Sequence, residues 1–244
     1  MLPTRLPASP SGLTNKYIPM NIKSIFTALI AFCCLFSLRA QDNTDDWGGQ
    51  VSVEISKKII KKLTLSFEEE FRLHKNFSRA DRFSHALDLT YKPFKFLKGG
   101  VSYHLLNYYD LQDGWDYRHR YNIHLTGDKS FGRFNVALRE RLQGTYRPQA
   151  LIDHNPKWYL RSRVKVEYDI RKSPFEPFAS AEMYYSLNDP DPAGRNINRW
   201  RFVAGSSYNI NKKNTLQVYY RYTNYADQDD DNGHMICIGY SVDI

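Results

Sequence analysis

From Trp47 onward, apolar and polar residues alternate one for one along nearly the whole chain. A period of two marks a strand whose two faces meet different surroundings. Leu63, Leu65, Phe67, Phe71 and Leu73 alternate with Thr64, Ser66, Glu68, Glu70 and Arg72. Trp115, Tyr117, Tyr121, Ile123 and Leu125 alternate with Asp116, Arg118, Arg120, Asn122 and His124. The same pattern runs over 134–143, 158–170 and 216–223, and more weakly over 51–56, 83–91, 101–109, 178–186 and 199–210. No stretch in this region carries the 3.6-residue stripe of an amphipathic helix, so the expected fold class is all-β.

Segment length narrows the choice. Several runs reach 10–14 residues, beyond the usual five or six of a soluble sheet and enough for a tilted membrane strand of about 9–11. Connections alternate too. Short turns are expected at Lys57–Lys62, Gly127–Gly132, Arg171–Pro177 and Asn209–Asn214, and longer polar loops at His74–Asp81, Gly144–Pro156, Leu187–Asn198 and Asn224–Gly233. Short turns on one rim and long loops on the other are the habit of outer-membrane barrels. The reading is an antiparallel up-and-down transmembrane β-barrel of about 10–12 strands. Eleven segments are legible, but bacterial barrels take even numbers, so twelve is favoured over ten. A polar mean hydropathy is no objection, because only every second residue of a barrel strand meets lipid. Eighteen tyrosines, among them Tyr91, Tyr108, Tyr109, Tyr146, Tyr184, Tyr185 and Tyr225 near strand ends, suit the aromatic girdles at the headgroup levels.

The region ahead of the barrel looks like an address. Lys23 and then an apolar run from Ile25 to Leu38, closing on Ala40, match a secretory signal peptide over residues 20–40. The run falls short of the about 17–25 apolar residues a membrane helix needs. Residues 1–19 read as an upstream extension, 41–46 as a short polar segment and 47–244 as the barrel domain. Cys33 and Cys34 fall in the leader, leaving Cys237 alone and no internal disulfide. Removing residues 1–40 takes away Arg5, Lys16, Lys23 and Arg39 and no acid, leaving 30 basic against 26 acidic residues. That balance argues against a nucleic-acid partner. Outer-membrane lipid and, during insertion, the barrel-assembly machinery of a Gram-negative cell are the partners expected.

Arginines recur two apart on the polar faces: Arg118 and Arg120, Arg139 and Arg141, Arg161 and Arg163, Arg199 and Arg201, with Arg72 and Arg221 single. Glu68, Glu70, Asp88, Asp116, Glu167 and Glu182 share those faces. A charge on the lipid side costs about 2–4 kcal/mol at midplane, so these residues are the candidate lining of the lumen. Guanidinium forks and carboxylates there either plug a small barrel or line an anion-selective pore. The plug is the favoured reading, since eight strands are filled by side chains and open channels come nearer sixteen. Glu69 and Glu140 alternate toward lipid, for which a bulge or a place near the interface is expected. Lipid hydrolases built on barrels set a His near a Ser on the outer wall. None of the seven histidines has a Ser two residues on, and Ser84 and His85 point to opposite faces. No catalytic residue is assigned, and no cofactor or metal is expected. The run Asp227, Asp229, Asp230, Asp231, Asn232, Gly233 lacks the glycine and the final Glu of a calcium loop.

Two resemblances complete the reading. Ile236, Ile238, Tyr240, Val242 and Ile244 resemble the C-terminal strand signal of outer-membrane proteins, with Ile in place of the usual Phe. Trp47, the stretch Leu65-Ser66-Phe67-Glu68-Glu69-Glu70-Phe71-Arg72, Leu87-Asp88-Leu89-Thr90-Tyr91 and the Arg-x-Arg strands at 118–120, 139–141 and 161–163 resemble the domain of unknown function 2490 family over about 47–244. The resemblance implies a barrel and no known activity. Three functions stay open: a barrel with a structural role, a narrow channel for small polar or anionic solutes, and a lipid-modifying enzyme. A soluble periplasmic binding barrel is the outsider.

Overall fold

The structure, a computed structural model, describes residues 46–110, 114–148, 155–189, 194, 196–226 and 233–244. The expected leader at 20–40 and the acidic run beginning at Asp227 lie outside them. Eleven strands follow one another: β1 (Asp46–Ile60), β2 (Leu63–His74), β3 (Arg79–Phe94), β4 (Leu97–Asp110), β5 (Gly114–Phe131) and β6 (Phe134–Tyr146), then β7 (Lys157–Tyr168), β8 (Phe175–Ser186), β9 (Ile197–Asn209), β10 (Asn214–Tyr225) and β11 (Gly233–Asp243). Each pairs antiparallel with the next, and β1 meets β11 to close the barrel. At 11 to 18 residues the strands satisfy the length a tilted membrane crossing requires.

The closure departs from a purely antiparallel, even-stranded barrel. With eleven strands the first and last run the same way, so β1 and β11 pair in parallel, from Asp46 opposite Gly233 to Ser56 opposite Asp243. Slanted parallel bonds are slightly weaker per residue than antiparallel ones, yet they leave no open edge. The end of β11 and the start of β1 are each held by a further bond. Ile244 N–H donates to the Ser56 carbonyl (2.9 Å), and the β2–β3 turn folds over the start of β1, Phe77 N–H donating to the Trp47 carbonyl (3.3 Å).

That turn is shorter than the loop expected at His74–Asp81. It spans 75–78, and Lys75, Asn76 and Phe77 take successive positive φ values of 52°, 54° and 62°. Left-handed backbone is costly for side-chain-bearing residues. The contacts to β1 offset it: Asn76 N–H donates to Asp46 Oδ1 (3.2 Å), and the Phe77 ring packs where Gly49 has no side chain. On the opposite rim Gly132 (φ 63°) supplies the positive φ that a two-residue hairpin loop demands at its first position, and Phe131 faces Phe134 across it.

Alternation sorts every strand into an oily exterior and a wet interior. Val101, Ile123, Leu125 and Leu138 each expose half or more of their surface outward. A soluble monomer rarely shows a continuous apolar patch beyond a few hundred Å², so this belt is the exterior of a barrel that faces hydrocarbon. Aromatic clusters border it. Phe71 on β2, Phe83 on β3 and Trp115 on β5 pack in tilted contact toward the long-loop rim, with Phe71 and Phe83 centroids 4.6 Å apart. Phe134–Tyr168 and Phe175–Tyr208 do so near the other rim, each at 4.9 Å. Of the tyrosines expected in the girdles, Tyr91, Tyr109 and Tyr146 are exposed. Tyr108, Tyr184 and Tyr225 instead line the interior, because each shares the parity of its strand's polar face.

The belt yields a direct test. Ile123, mid-strand in β5 and 61% exposed, is expected to cost about 2–4 kcal/mol of folding free energy on Ile123→Arg. Urea titration of the barrel refolding into lipid vesicles measures the change; no shift would mean the face does not meet lipid.

Candidate functional site

The interior is neither empty nor filled. A cavity of about 820 Å³ lies toward the long-loop rim, reaching Asp46, Lys75, Asp81 and Gly233. A second of about 770 Å³ lies toward the short-turn rim, reaching Glu54, Lys92, Lys98 and Asp128. Glu68, His104, Arg139, Arg141 and Arg163 line both, so the two spaces adjoin at one waist.

Period-2 projection carries the predicted residues inward at three levels. Near the long-loop rim Arg72 and Arg82 converge on Glu70, with Arg72 Nε 2.8 Å and Arg82 Nη2 3.3 Å from Oε1. Arg82 Nη1 also donates to the Tyr108 hydroxyl (2.6 Å), while Arg118 lies 4.0 Å over the Tyr108 ring and 3.0 Å from Asp116 Oδ2. Arg120 donates to Thr145 Oγ1 (3.2 Å). At the seam Arg221 donates to Gln50 Oε1 (2.9 Å) and to the Met235 sulfur. Toward the other rim lie Asp88, which accepts from Thr90 (2.6 Å) with His124 3.8 Å away, and Glu167, which is paired with Lys165 (2.6 Å).

The waist is built on β6, β7, β8 and β9. Strand register places Arg139 opposite Arg163 and Arg141 opposite Arg161, four guanidinium groups on one patch of wall. Glu182 on β8 sits among them, 3% exposed. Its Oε1 accepts from Arg139 and its Oε2 from Arg161, both at 2.7 Å, and Arg201 stands 3.9 Å away. Arg161 also donates to Gln143 Oε1 (2.7 Å). The Tyr184 ring, fully buried, underlies Arg161, Arg199 and Arg201 at 4.2, 4.3 and 5.1 Å. Desolvated cation–π contacts of this kind hold guanidinium planes without neutralising them. One carboxylate therefore serves several arginines. The Nε atoms of Arg139, Arg141, Arg161, Arg163, Arg199 and Arg201 are buried with no hydrogen-bond partner among the described residues.

The sixteen predicted lining residues share the inward face, but they do not form one cluster. Arg82, Tyr108, Tyr184, Gln143 and Gln50 join them unpredicted. Parity could have found the tyrosines, since Tyr108 is in step with Ser102 and His104, and Tyr184 with Glu182. Arg82 lies just ahead of a weakly alternating segment, and an amide such as Gln143 or Gln50 gives no signal apart from its neighbours.

For the outward acids the first of the two expected explanations, a bulge, is absent. Neither Glu69 nor Glu140 sits at a bulge; the ladders run unbroken through both. Each has a cross-strand partner instead. His85 Nδ1 lies 2.6 Å from Glu69 Oε2, and Ser162 Oγ donates to Glu140 Oε2 (2.6 Å). Ser84, beside His85 in the chain, is buried on the inner face.

The chain belongs to the family described as protein of unknown function (DUF2490), which it matches over residues 48–234. No curated protein matches it. Among solved structures it is similar to one titled "NanC porin structure in rhombohedral crystal form", at 17% identity over 78% of this chain and 93% of that one, with a TM-score of 0.49.

Glu182→Gln keeps the shape of the waist and removes the charge that Arg139 and Arg161 share. Breaking a buried pair from one side is expected to cost about 3–5 kcal/mol, read as a lower denaturation midpoint. An unchanged midpoint would mean that Arg139 and Arg161 do not share one carboxylate.

Proposed function

We propose that this DUF2490 barrel resides in the outer membrane of a Gram-negative bacterium and that its lumen is a narrow, selective path for small anionic solutes. Export by the leader at residues 20–40 and insertion by the barrel-assembly machinery bring it there, and outer-membrane lipid surrounds its apolar belt. The observation that carries the reading is the pair of cavities adjoining at the arginine waist. A plug would fill the interior with side chains; here space remains on both sides of one charged constriction.

Electrostatics favours the anion. Five guanidiniums (Arg139, Arg141, Arg161, Arg163, Arg201) stand on one wall of the waist around Glu182. Low-dielectric walls focus that field along the lumen, drawing anions in and raising the barrier for cations. Glu68 and Glu54, on β2 and β1, lie on the far side of the ring of strands, so they temper the field without neutralising the arginine wall.

Detergent-purified protein in a planar bilayer across a KCl gradient tests this. Small discrete conductance steps are expected, with a reversal potential on the chloride side. Arg163→Ala is expected to move that potential toward the potassium side. A silent bilayer, or cation preference in the parent protein, would sink the channel reading; recovery of the chain by osmotic shock without detergent would sink its place in the membrane.

A further inference from the structure

The arginine wall of the waist shares its carboxylate, Glu182, unevenly. By register Glu182 faces Arg163 on one side and Arg201 on the other. Yet its two oxygens are taken by Arg139 and Arg161 at 2.7 Å. Arg163 is left without a hydrogen bond or ion pair among the described residues, and so is Arg141; the Nε of each is buried and unpartnered. Both side chains line both large cavities. Two guanidiniums without a hydrogen-bonded or ion-paired partner thus face water-accessible space from adjacent strands.

Their spacing defines what they can hold. Arg141 and Arg163 are diagonal neighbours in the β6–β7 ladder, about 7–8 Å apart at Cα. Side chains as long as arginine at that separation can reach one small ligand. Each fork offers two parallel N–H donors matched to two oxygens of an oxoanion. Chloride brings one charge and no oxygen pair. A divalent tetrahedral oxoanion brings two charges for two unpaired cations and at least three free oxygens for two forks. Glu182 is already engaged by Arg139 and Arg161, so such a ligand brings Arg141 and Arg163 the paired oxygens that the wall does not offer them.

We propose that Arg141 and Arg163 form a binding subsite for a divalent phosphoryl group, either inorganic phosphate or the terminal phosphate of a small monoester. The subsite rests on the reading of the lumen as an anion path, which supplies its access. The cavities on either side leave room for the organic part of an ester. Arg139 and Arg161, held by Glu182, form the rigid rear wall of the site.

The test is calorimetric titration of the full chain, purified in detergent, with sodium phosphate and with glycerol phosphate at constant ionic strength set by chloride. One saturable site per chain is expected for both. Tighter glycerol phosphate makes the ligand an ester and tighter phosphate makes it the free ion; either outcome supports the subsite. Arg141→Gln with Arg163→Gln is expected to weaken binding at least tenfold, whereas Ser162→Ala on the outer wall of the same strand leaves it unchanged. Should the double variant not fold, the paired Arg→Lys variants keep the charge and lose the forks, and several-fold weaker binding is expected. Phosphate that binds no better than chloride, or variants that bind like the parent, overturn the subsite. An anion-selective bilayer current without phosphate preference overturns it alone, while phosphate binding without current overturns only the channel.

Discussion

A backbone amide facing hydrocarbon has no water to turn to, so a sheet can cross a membrane only if every strand edge is paired. In this chain that requirement falls on one joint. Ten antiparallel neighbours follow from chain order, but the barrel exists only because β1 lies beside β11 in parallel register. The bends around it serve the joint. The left-handed turn at Lys75, Asn76 and Phe77 reaches back to Asp46 and Trp47, and the last residue reaches Ser56. Without closure the apolar belt would have no continuous surface and the lumen no wall.

Closure also creates the electrostatic problem that the interior has to solve. Curling eleven polar faces inward brings together arginines that are far apart in the chain. Guanidiniums tolerate this better than ammonium groups, because they are planar, weakly hydrated and able to stack. Tyr184 and Tyr108 exploit that property, giving the charges aromatic faces to rest on. Glu182 and Glu70 each serve more than one arginine. The interior is therefore held together while keeping a surplus of positive charge where its two cavities adjoin. Structure and solute handling draw on the same residues, and the distinction between a plug and a pore becomes a matter of which guanidiniums are already engaged.

The outer wall shows a smaller version of the same economy. Glu69 and Glu140 break the apolar pattern, and each finds a partner directly across the ladder in His85 and Ser162. Pairing at a single cross-strand position accommodates a polar group without altering the backbone. A bulge would have reset the parity of everything beyond it, turning the lumen arginines toward lipid.

Much of this was legible in the chain. Alternation is a local property: which side of a strand a residue occupies depends only on its step from the next, so Arg139, Arg141, Arg161 and Arg163 could be placed on one face from sequence alone. The same rule, applied evenly, also turns Tyr108 and Tyr184 inward; composition had assigned them to the girdles. What parity cannot supply is lateral information. The parallel seam, the tight turn at 75–78 and the allotment of Glu182 to Arg139 and Arg161, not to its register partner Arg163, depend on how eleven strands twist and close together. Side-chain period is set by covalent geometry within a strand, and so belongs to the sequence. Partner choice across a curved wall is set by distances that exist only once the wall has closed, and so belongs to the tertiary structure.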